Sequence, residues 1–293
     1  MNYCSPQEIS NNSLQTWRTK ASLSLGGMIS LGVLAGAYIA LGAVGATMVT
    51  HDMAAVGLAR LLTGAVFAVG LMMVVIAGGE LFTGNILITI GVLDGTVRLR
   101  SMLRNWVVVY FANFAGSVLV AYLMYASGLW AYNNNQVGAA VLKVAAAKTS
   151  LNFSMALARG ILCNWLVCVA VWMAFAGKDV VSKIFGIFFP IMLFVCSNFE
   201  HCIANMYYIP AGILAKNMPA VVEASHLGAK LDLLTWRSFL LANLLPVTIG
   251  NIVGAGLFVA FFYWFAYLRG SARKTPALAP ATPLVHSKAL AGD

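Results

Sequence analysis

Six stretches of the chain, near residues 22–44, 55–93, 106–127, 156–176, 184–215 and 238–268, are apolar almost without interruption, and the segments between them carry most of the charge. A run of about 20 apolar residues suffices to cross a hydrocarbon layer about 30 Å thick. Lipid offers no partners to backbone N–H and C=O groups, so a spanning segment must be a helix or part of a closed barrel. The runs are helix-length and lack the alternation of barrel strands, which repeats in segments of about ten residues. The pattern predicts an all-α membrane protein of six transmembrane helices.

Two runs do not fit a single crossing. The second and fifth span roughly 30 to 40 residues, against about 20 needed. Each has polar residues near its middle: Gly78-Gly79-Glu80-Leu81-Phe82-Thr83-Gly84-Asn85, and Ser197-Asn198-Phe199-Glu200-His201. Non-helical backbone at membrane depth is tolerated only where protein buries it or where it lines a wet cavity. Both runs are therefore expected to be broken helices whose half-helix ends turn partial charges toward the gap. His201 is the single histidine at a predicted mid-membrane position, since His51, His226 and His286 fall in loops or the tail. An ionisable group at that depth is costly and so points to function; imidazole could serve as hydrogen-bond donor or as proton source. Glu80 and Glu200 read as supports of the breaks, accepting hydrogen bonds from the interrupted backbone.

Comparing the first three spans with the last three reveals a repeat. Lys20, Ser22, Leu23, Gly32 and Leu34 align with Lys148, Ser150, Leu151, Gly160 and Leu162. Glu80 and Asn85 align with Glu200 and Asn205, and Asn105, Asn113 and Gly116 with Asn243, Asn251 and Gly254. A unit with an odd number of spans enters the membrane from opposite sides in its two copies, so the halves are inverted about an axis in the membrane plane. Such symmetry places a pathway at their interface, as channels and transporters use and anchors do not.

Charge and composition refine this picture. Only 9% of residues are charged, far below the quarter usual for soluble domains, so most of the surface faces something other than water. With both termini on one side, the segments on that side carry eleven Lys and Arg and those opposite carry six, which predicts cytoplasmic termini. The basic residues are dispersed, which argues against nucleic acid despite the net charge of +9 and favours anionic lipid or an anionic solute. Cys4, Cys163, Cys168, Cys196 and Cys202 show no metal-ligand spacing and read as small core residues. Residues 1–20 lack the apolar core of a signal peptide and read as a cytoplasmic N-terminal segment. Residues 21–270 form one transmembrane domain, with repeats at about 20–127 and 148–268. Residues 271–293 suit a disordered cytoplasmic tail.

At the breaks the sequence resembles the formate/nitrite transporter family. GELFTGN in the first break, CNWLVCVAVWMA in the fourth span, FEHCIANM in the second break and PVTIGNIVG in the sixth span read as that family's motifs at its spacings. The resemblance covers about residues 15–270. It implies aquaporin-like protomers in a homopentamer, each with its own pore for a small monovalent anion such as formate, nitrite or hydrosulfide, handled with protons and without a cofactor. By position, Thr83 and His201 match the pair that meets the solute between two constrictions. Leu81, Val167 and Phe194 match the cytoplasmic slit, and Phe67 with Leu71 the outer one. Asn164 and Asn251 match polar pore residues, and Lys148 matches a lysine near the outer vestibule, to which the repeat adds Lys20 at the other mouth. The chain departs from the family at Asn198, where members commonly have Gly; Asn tolerates positive φ, so the turn is expected to survive.

The mechanism expected from these residues is attraction of the anion by Lys20 and Lys148, protonation, and passage past His201 and Thr83. Within the family, GELFTG, CNWLVC and Ala147-Lys148-Thr149 look closer to the nitrite branch, whereas Phe199 looks closer to the formate branch; the balance leans to nitrite in a bacterial inner membrane. An intramembrane enzyme using Glu200 and His201 is the alternative from another class, but no H-E-x-x-H or G-x-S-x-G signature supports it. A water or glycerol pore on the same plan lacks the paired Asn-Pro-Ala loops of aquaporins.

Overall fold

A computed structural model describes residues 3–270; the tail expected to be disordered lies outside the described residues. Helix α1 (Pro6–Ser22) begins with a capping box: Ser5 Oγ accepts from the Glu8 amide, and the Glu8 carboxylate accepts from the Ser5 amide. Its buried residues Ile9, Ser13, Trp17 and Ala21 recur every fourth position, a stripe that lays the helix against the bundle. Helix α2 (Leu25–Thr50) starts the first repeat and α3 (Val56–Met72) returns, continuing through a π-helical turn at Met73–Gly78. After the first break come the short α4 (Phe82–Asn85) and α5 (Ile88–Leu93), then α6 (Leu99–Ala126).

The second repeat has the same order. Helix α7 (Gln136–Thr149) precedes α8 (Phe153–Ala176), α9 (Val180–Cys196) leads to the second break, and α10 (Cys202–Ala215) leaves it. After α11 (Pro219–Ser225), the last span runs from Ser238 to Leu268, α-helical over α12 (Leu245–Ala255) and π-helical on either side. Among the described residues five helices, Leu25–Thr50, Val56–Gly78, Leu99–Ala126, Phe153–Ala176 and Ser238–Leu268, are long and apolar enough to cross a membrane, and Phe82–Leu93, Val180–Cys196 and Cys202–Ala215 are shorter apolar pieces. The described residues follow the expected plan of four whole and two interrupted spans. The third span begins at Leu99, before the expected 106, because Arg100 and Arg104 sit inside its first turns without ending it.

The inverted halves share packing as well as order. Ser24 caps α2 through the Gly27 amide, and its mate Asn152 caps α8 through the Met155 amide. Gly116 on α6 lies so close to the Val33 carbonyl that a Cβ would collide with it, and its mate Gly254 on α12 is pressed in the same way against the Ile161 carbonyl. Small residues let helix backbones approach where lipid supplies no hydrophobic drive for association. Each repeat thereby clasps its first span to its third and leaves the interrupted span to face the other repeat.

Candidate functional site

The two breaks are built from the same hydrogen bonds. In the first, the Glu80 amide donates to Leu31 O (3.1 Å), Asn113 Nδ2 donates to Gly32 O and Glu80 O (2.8 Å each), and Asn113 Oδ1 accepts from the Phe82 amide (2.9 Å). In the second, the Glu200 amide donates to Arg159 O (3.2 Å), Asn251 Nδ2 donates to Gly160 O (2.8 Å) and Glu200 O (3.0 Å), and Asn251 Oδ1 accepts from the Cys202 amide (2.9 Å). One asparagine per repeat thus satisfies the backbone on both sides of residue 81 or 201, groups that lipid would leave unpaired.

The glutamates do a different task from the one expected. Their carboxylates accept from side chains in place of backbone amides: Glu80 from Lys20 Nζ (2.6 Å) and Asn85 Nδ2 (2.6 Å), Glu200 from Lys148 Nζ (3.0 Å) and Asn205 Nδ2 (2.7 Å). Asn85 and Asn205 extend each cluster to Asn105 and Asn243, which donate back to Lys20 O and Lys148 O. The reason is charge: a buried carboxylate without a cation is far costlier than one paired and hydrogen-bonded. The lysines expected to draw anions are consequently each neutralised by a glutamate, and Lys148 Nζ also lies 5.5 Å from the centre of the Tyr208 ring.

Two cavities flank the breaks. One of about 350 Å³ on the Lys20 side is lined by Trp17, Lys20, Leu71, Gly79, Glu80, Leu81, Phe175 and Lys183 among others. The other, about 110 Å³ on the Lys148 side, is lined by Phe67, Lys148, Phe194, Phe199, His201 and Tyr208 among others. This corrects the expected grouping of the constriction residues. Leu71 stands with Leu81 on the Lys20 side, whereas Phe67 and Phe194 stand together on the Lys148 side, their rings edge to face at 5.8 Å. Leu71 is one turn beyond Phe67 on α3, about 6 Å further along the axis, so the two share a face but not a depth. Val167 is buried and lines neither cavity; Val171, one turn on, lines the larger one.

His201 lines the smaller cavity, and its Nε2 lies 3.0 Å from Oγ1 of Thr83, the residue before Gly84 in the lining of the larger one; both residues are buried. His201 is the N-cap of α10 and its Nδ1 accepts from the Ala204 amide at 3.1 Å. That bond assigns the neutral tautomer: the proton is on Nε2, which donates to Thr83 Oγ1. Asn198 takes φ +59, and with the Phe199 amide on Phe194 O and the Asn198 amide on Val195 O it closes α9 in the manner usually served by Gly. Asn164 and Asn251, matched to pore lining, line neither cavity. Both are fully buried, and Asn164 Nδ2 bridges Thr83 O (3.2 Å) to Asn251 O (2.9 Å). Thr83 O is open to this because the Leu87 amide turns to Gly84 O; Cys168 Sγ also donates to it at 3.3 Å. Cys168 and Lys183 were not singled out by sequence reading, and only their positions in three dimensions bring them to the site.

The formate/nitrite transporter profile matches residues 7–265. This chain belongs to the formate/nitrite transporter family. It is 43% identical over 268 residues to a probable formate transporter of Methanothermobacter thermautotrophicus, covering 85% of this chain and 92% of that protein. It is 40% identical over 216 residues to the formate channel FocA of Escherichia coli (strain K12), covering 73% and 76%. Among solved structures, a pentameric formate channel with formate bound superposes with a TM-score of 0.75 at 37% identity, covering 83% of this chain and 98% of that one. As a formate/nitrite transporter the protein is a multi-pass membrane transporter, and its inverted breaks lie within the region that the family profile spans.

Proposed function

We propose that each protomer conducts formate, as the anion or its conjugate acid, through a pathway running from the 350 Å³ cavity past Thr83 and His201 to the 110 Å³ cavity. The observation that carries this reading is the Thr83–His201 pair, two buried hydrogen-bonding groups that link the lining of the smaller cavity at His201 to the edge of the larger one at Gly84. Formate is preferred over nitrite because the relatives quoted above are formate transporters or channels. The motifs GELFTG and CNWLVC keep nitrite as the competing solute.

Leu71, Leu81, Phe67 and Phe194 form apolar walls on either side of the pair, where removing a bare charge from water is far costlier than removing a neutral acid. A carboxylate oxygen reaching the centre would take the Nε2–H of His201 and the hydroxyl hydrogen of Thr83 as donors. Nδ1 is already committed to the Ala204 amide, so His201 acts as a hydrogen-bond donor while the proton of the neutral acid comes from water in the vestibule. Because Lys20 and Lys148 are paired with Glu80 and Glu200, their first effect is to hold the breaks open and only their second is to draw anions. Assembly as a homopentamer, hydrosulfide as a further solute, and a bacterial inner membrane with both termini cytoplasmic complete the proposal. The pentamer rests on likeness to a pentameric channel, and the orientation on the excess of Lys and Arg on the Lys20 side.

Competitive uptake of formate, nitrite and hydrosulfide into proteoliposomes tests this, with glycerol as neutral control. Fastest flux of formate, raised by an inward proton gradient and abolished in His201→Phe, is expected. Glycerol flux without anion flux would replace the reading with that of a neutral-solute pore.

A further inference from the structure

Tyr110 and Thr248 are mates in the repeat: 138 residues separate them, the offset that also relates Asn105 to Asn243 and Asn113 to Asn251. Their hydroxyl oxygens lie 2.9 Å apart. Two residues exchanged by a two-fold axis touch only where that axis passes between them, so this bond marks the axis relating the two halves.

The bond is not the one that a threonine in a membrane helix makes by default. Thr47, Thr50 and Thr63 turn their hydroxyls back to the carbonyl four residues earlier, a local partner that needs no second helix. Thr248 has no such bond among the described residues and reaches across to the other repeat. Each member of the pair also touches the residue that opens the helix leaving its own break. The Tyr110 ring meets Phe82 edge to face at 4.9 Å, and Phe82 begins α4 between Leu81 and Thr83. The Thr248 side chain interacts with the Cys202 thiol, and Cys202 begins α10 next to His201. Phe82 and Cys202 are themselves mates, and each donates its amide to the asparagine clamp of its repeat. A chain of side chains thus runs from the neighbour of Thr83 to the neighbour of His201 through one hydroxyl pair on the axis.

We infer that Tyr110 and Thr248 are positioning residues for the central pair: their bond fixes the starts of α4 and α10 against each other and so sets the 3.0 Å approach of Thr83 Oγ1 to His201 Nε2. This rests on the proposed pathway through that pair. Neither residue lines either cavity, so their effect is exerted through Phe82 and Cys202. The two donors offered to a solute come from opposite repeats, and a strut between the repeats controls their spacing. In a site that works by orientation, a displacement of about 1 Å can cost about a hundredfold.

Tyr110→Phe keeps the ring on Phe82, and Thr248→Val keeps the branched shape of threonine; each removes one hydroxyl. Formate uptake into proteoliposomes should fall about tenfold in either variant. The double variant should lose no more than a single one, because all three lack the same bond, and Thr248→Ser should transport like wild type. A second readout does not depend on the solute. In protein carrying isotope-labelled histidine in lipid bilayers, the Nε2–H proton resonance of His201 is identified by its loss in His201→Phe. It should move in Tyr110→Phe and Thr248→Val and stay in place in Thr248→Ser. Variants that melt lower yet leave this resonance unmoved would reduce the bond to a packing contact and overturn the inference, as would losses of flux that add in the double variant. Wild-type uptake by His201→Phe would remove the pathway instead, and the resonance alone would then decide whether the bond sets the pair.

Discussion

The two breaks have nearly the same backbone and different chemistry. Leu81 and His201 occupy matched positions, at φ −106°, ψ 121° and φ −109°, ψ 117°, each the N-cap of the helix that leaves the break. An asparagine, a glutamate and a lysine hold each in place through corresponding bonds. Yet Leu81 makes no side-chain cap bond and lines the larger cavity, whereas the His201 imidazole caps α10 and reaches Thr83. The halves diverge again downstream: α10 runs on for 14 residues, while the first break resumes as a 4-residue and a 6-residue helix, freeing Thr83 O for Asn164 and Cys168. The comparison separates two kinds of requirement. The frame is duplicated because unpaired backbone in lipid is penalised equally in both copies, and the polar centre is single, as the proposed pathway requires of one meeting point for its solute.

The comparison can be broken most severely at its charges. Glu200→Ala strands Lys148 in a site where its side chain is 12% exposed, and losing one partner of a buried pair costs about 3–5 kcal/mol. Glu80→Ala should cost less, since Lys20 is 23% exposed and water can reach it. Thermal unfolding of the two purified variants in detergent should rank Glu200→Ala as the less stable; equal melting would mean the clusters are not buried to different degrees. Next in size are the helix clasps. Gly116→Ala and Gly254→Ala each drive a methyl into a carbonyl, and overpacking of this kind costs about 1–3 kcal/mol. Matched losses are expected by the same unfolding assay, and a loss confined to one would deny that the repeats share the contact.

The smallest test concerns the turns before the breaks, where Gly78 has φ +97 and Asn198 φ +59. Asn198→Val places a branched residue in the left-handed region, at about 1–2 kcal/mol. Asn198→Gly, which makes the second turn resemble the first, should change stability by no more than about 0.5 kcal/mol. Parallel melting curves check both, and an Asn198→Val variant as stable as wild type would remove the turn from the account.

Much of this was legible in the chain because lipid narrows the choices. Six apolar runs, two of them overlong and polar at the middle, are enough to place the spans and the breaks, and Lys20, Glu80, Asn85, Asn105 and Asn113 with their mates recur at offsets that betray the repeat. The helices outside the spans were not legible. Residues 6–22 read as a polar segment because about every fourth residue is buried, although Ser5, Pro6 and Glu8 carry a helix start; α7, largely buried but only 14 residues long, and the 7-residue α11 were too short to stand out from a loop. The partners of Glu80 and Glu200 were missed for another reason. Hydrophobicity says that a carboxylate is buried, whereas its choice between backbone and lysine depends on where the last turns of α1 and α7 place Lys20 and Lys148. The depth of Phe67 and Leu71 required the axis of α3, which no alignment of motifs contains.

On the proposed pathway, one imidazole, placed on a frame that carries leucine in the other repeat, is the hydrogen-bond donor on which passage of the solute depends. Replacing His201 with Leu copies Leu81 and leaves the Asn251 clamp untouched, so the fold should hold, with about 1 kcal/mol lost from the cap. Formate uptake into proteoliposomes under an inward proton gradient should then fall to the rate of protein-free liposomes while the variant remains folded and assembled. Uptake by His201→Leu at the wild-type rate, with the same response to the gradient, would contradict the account.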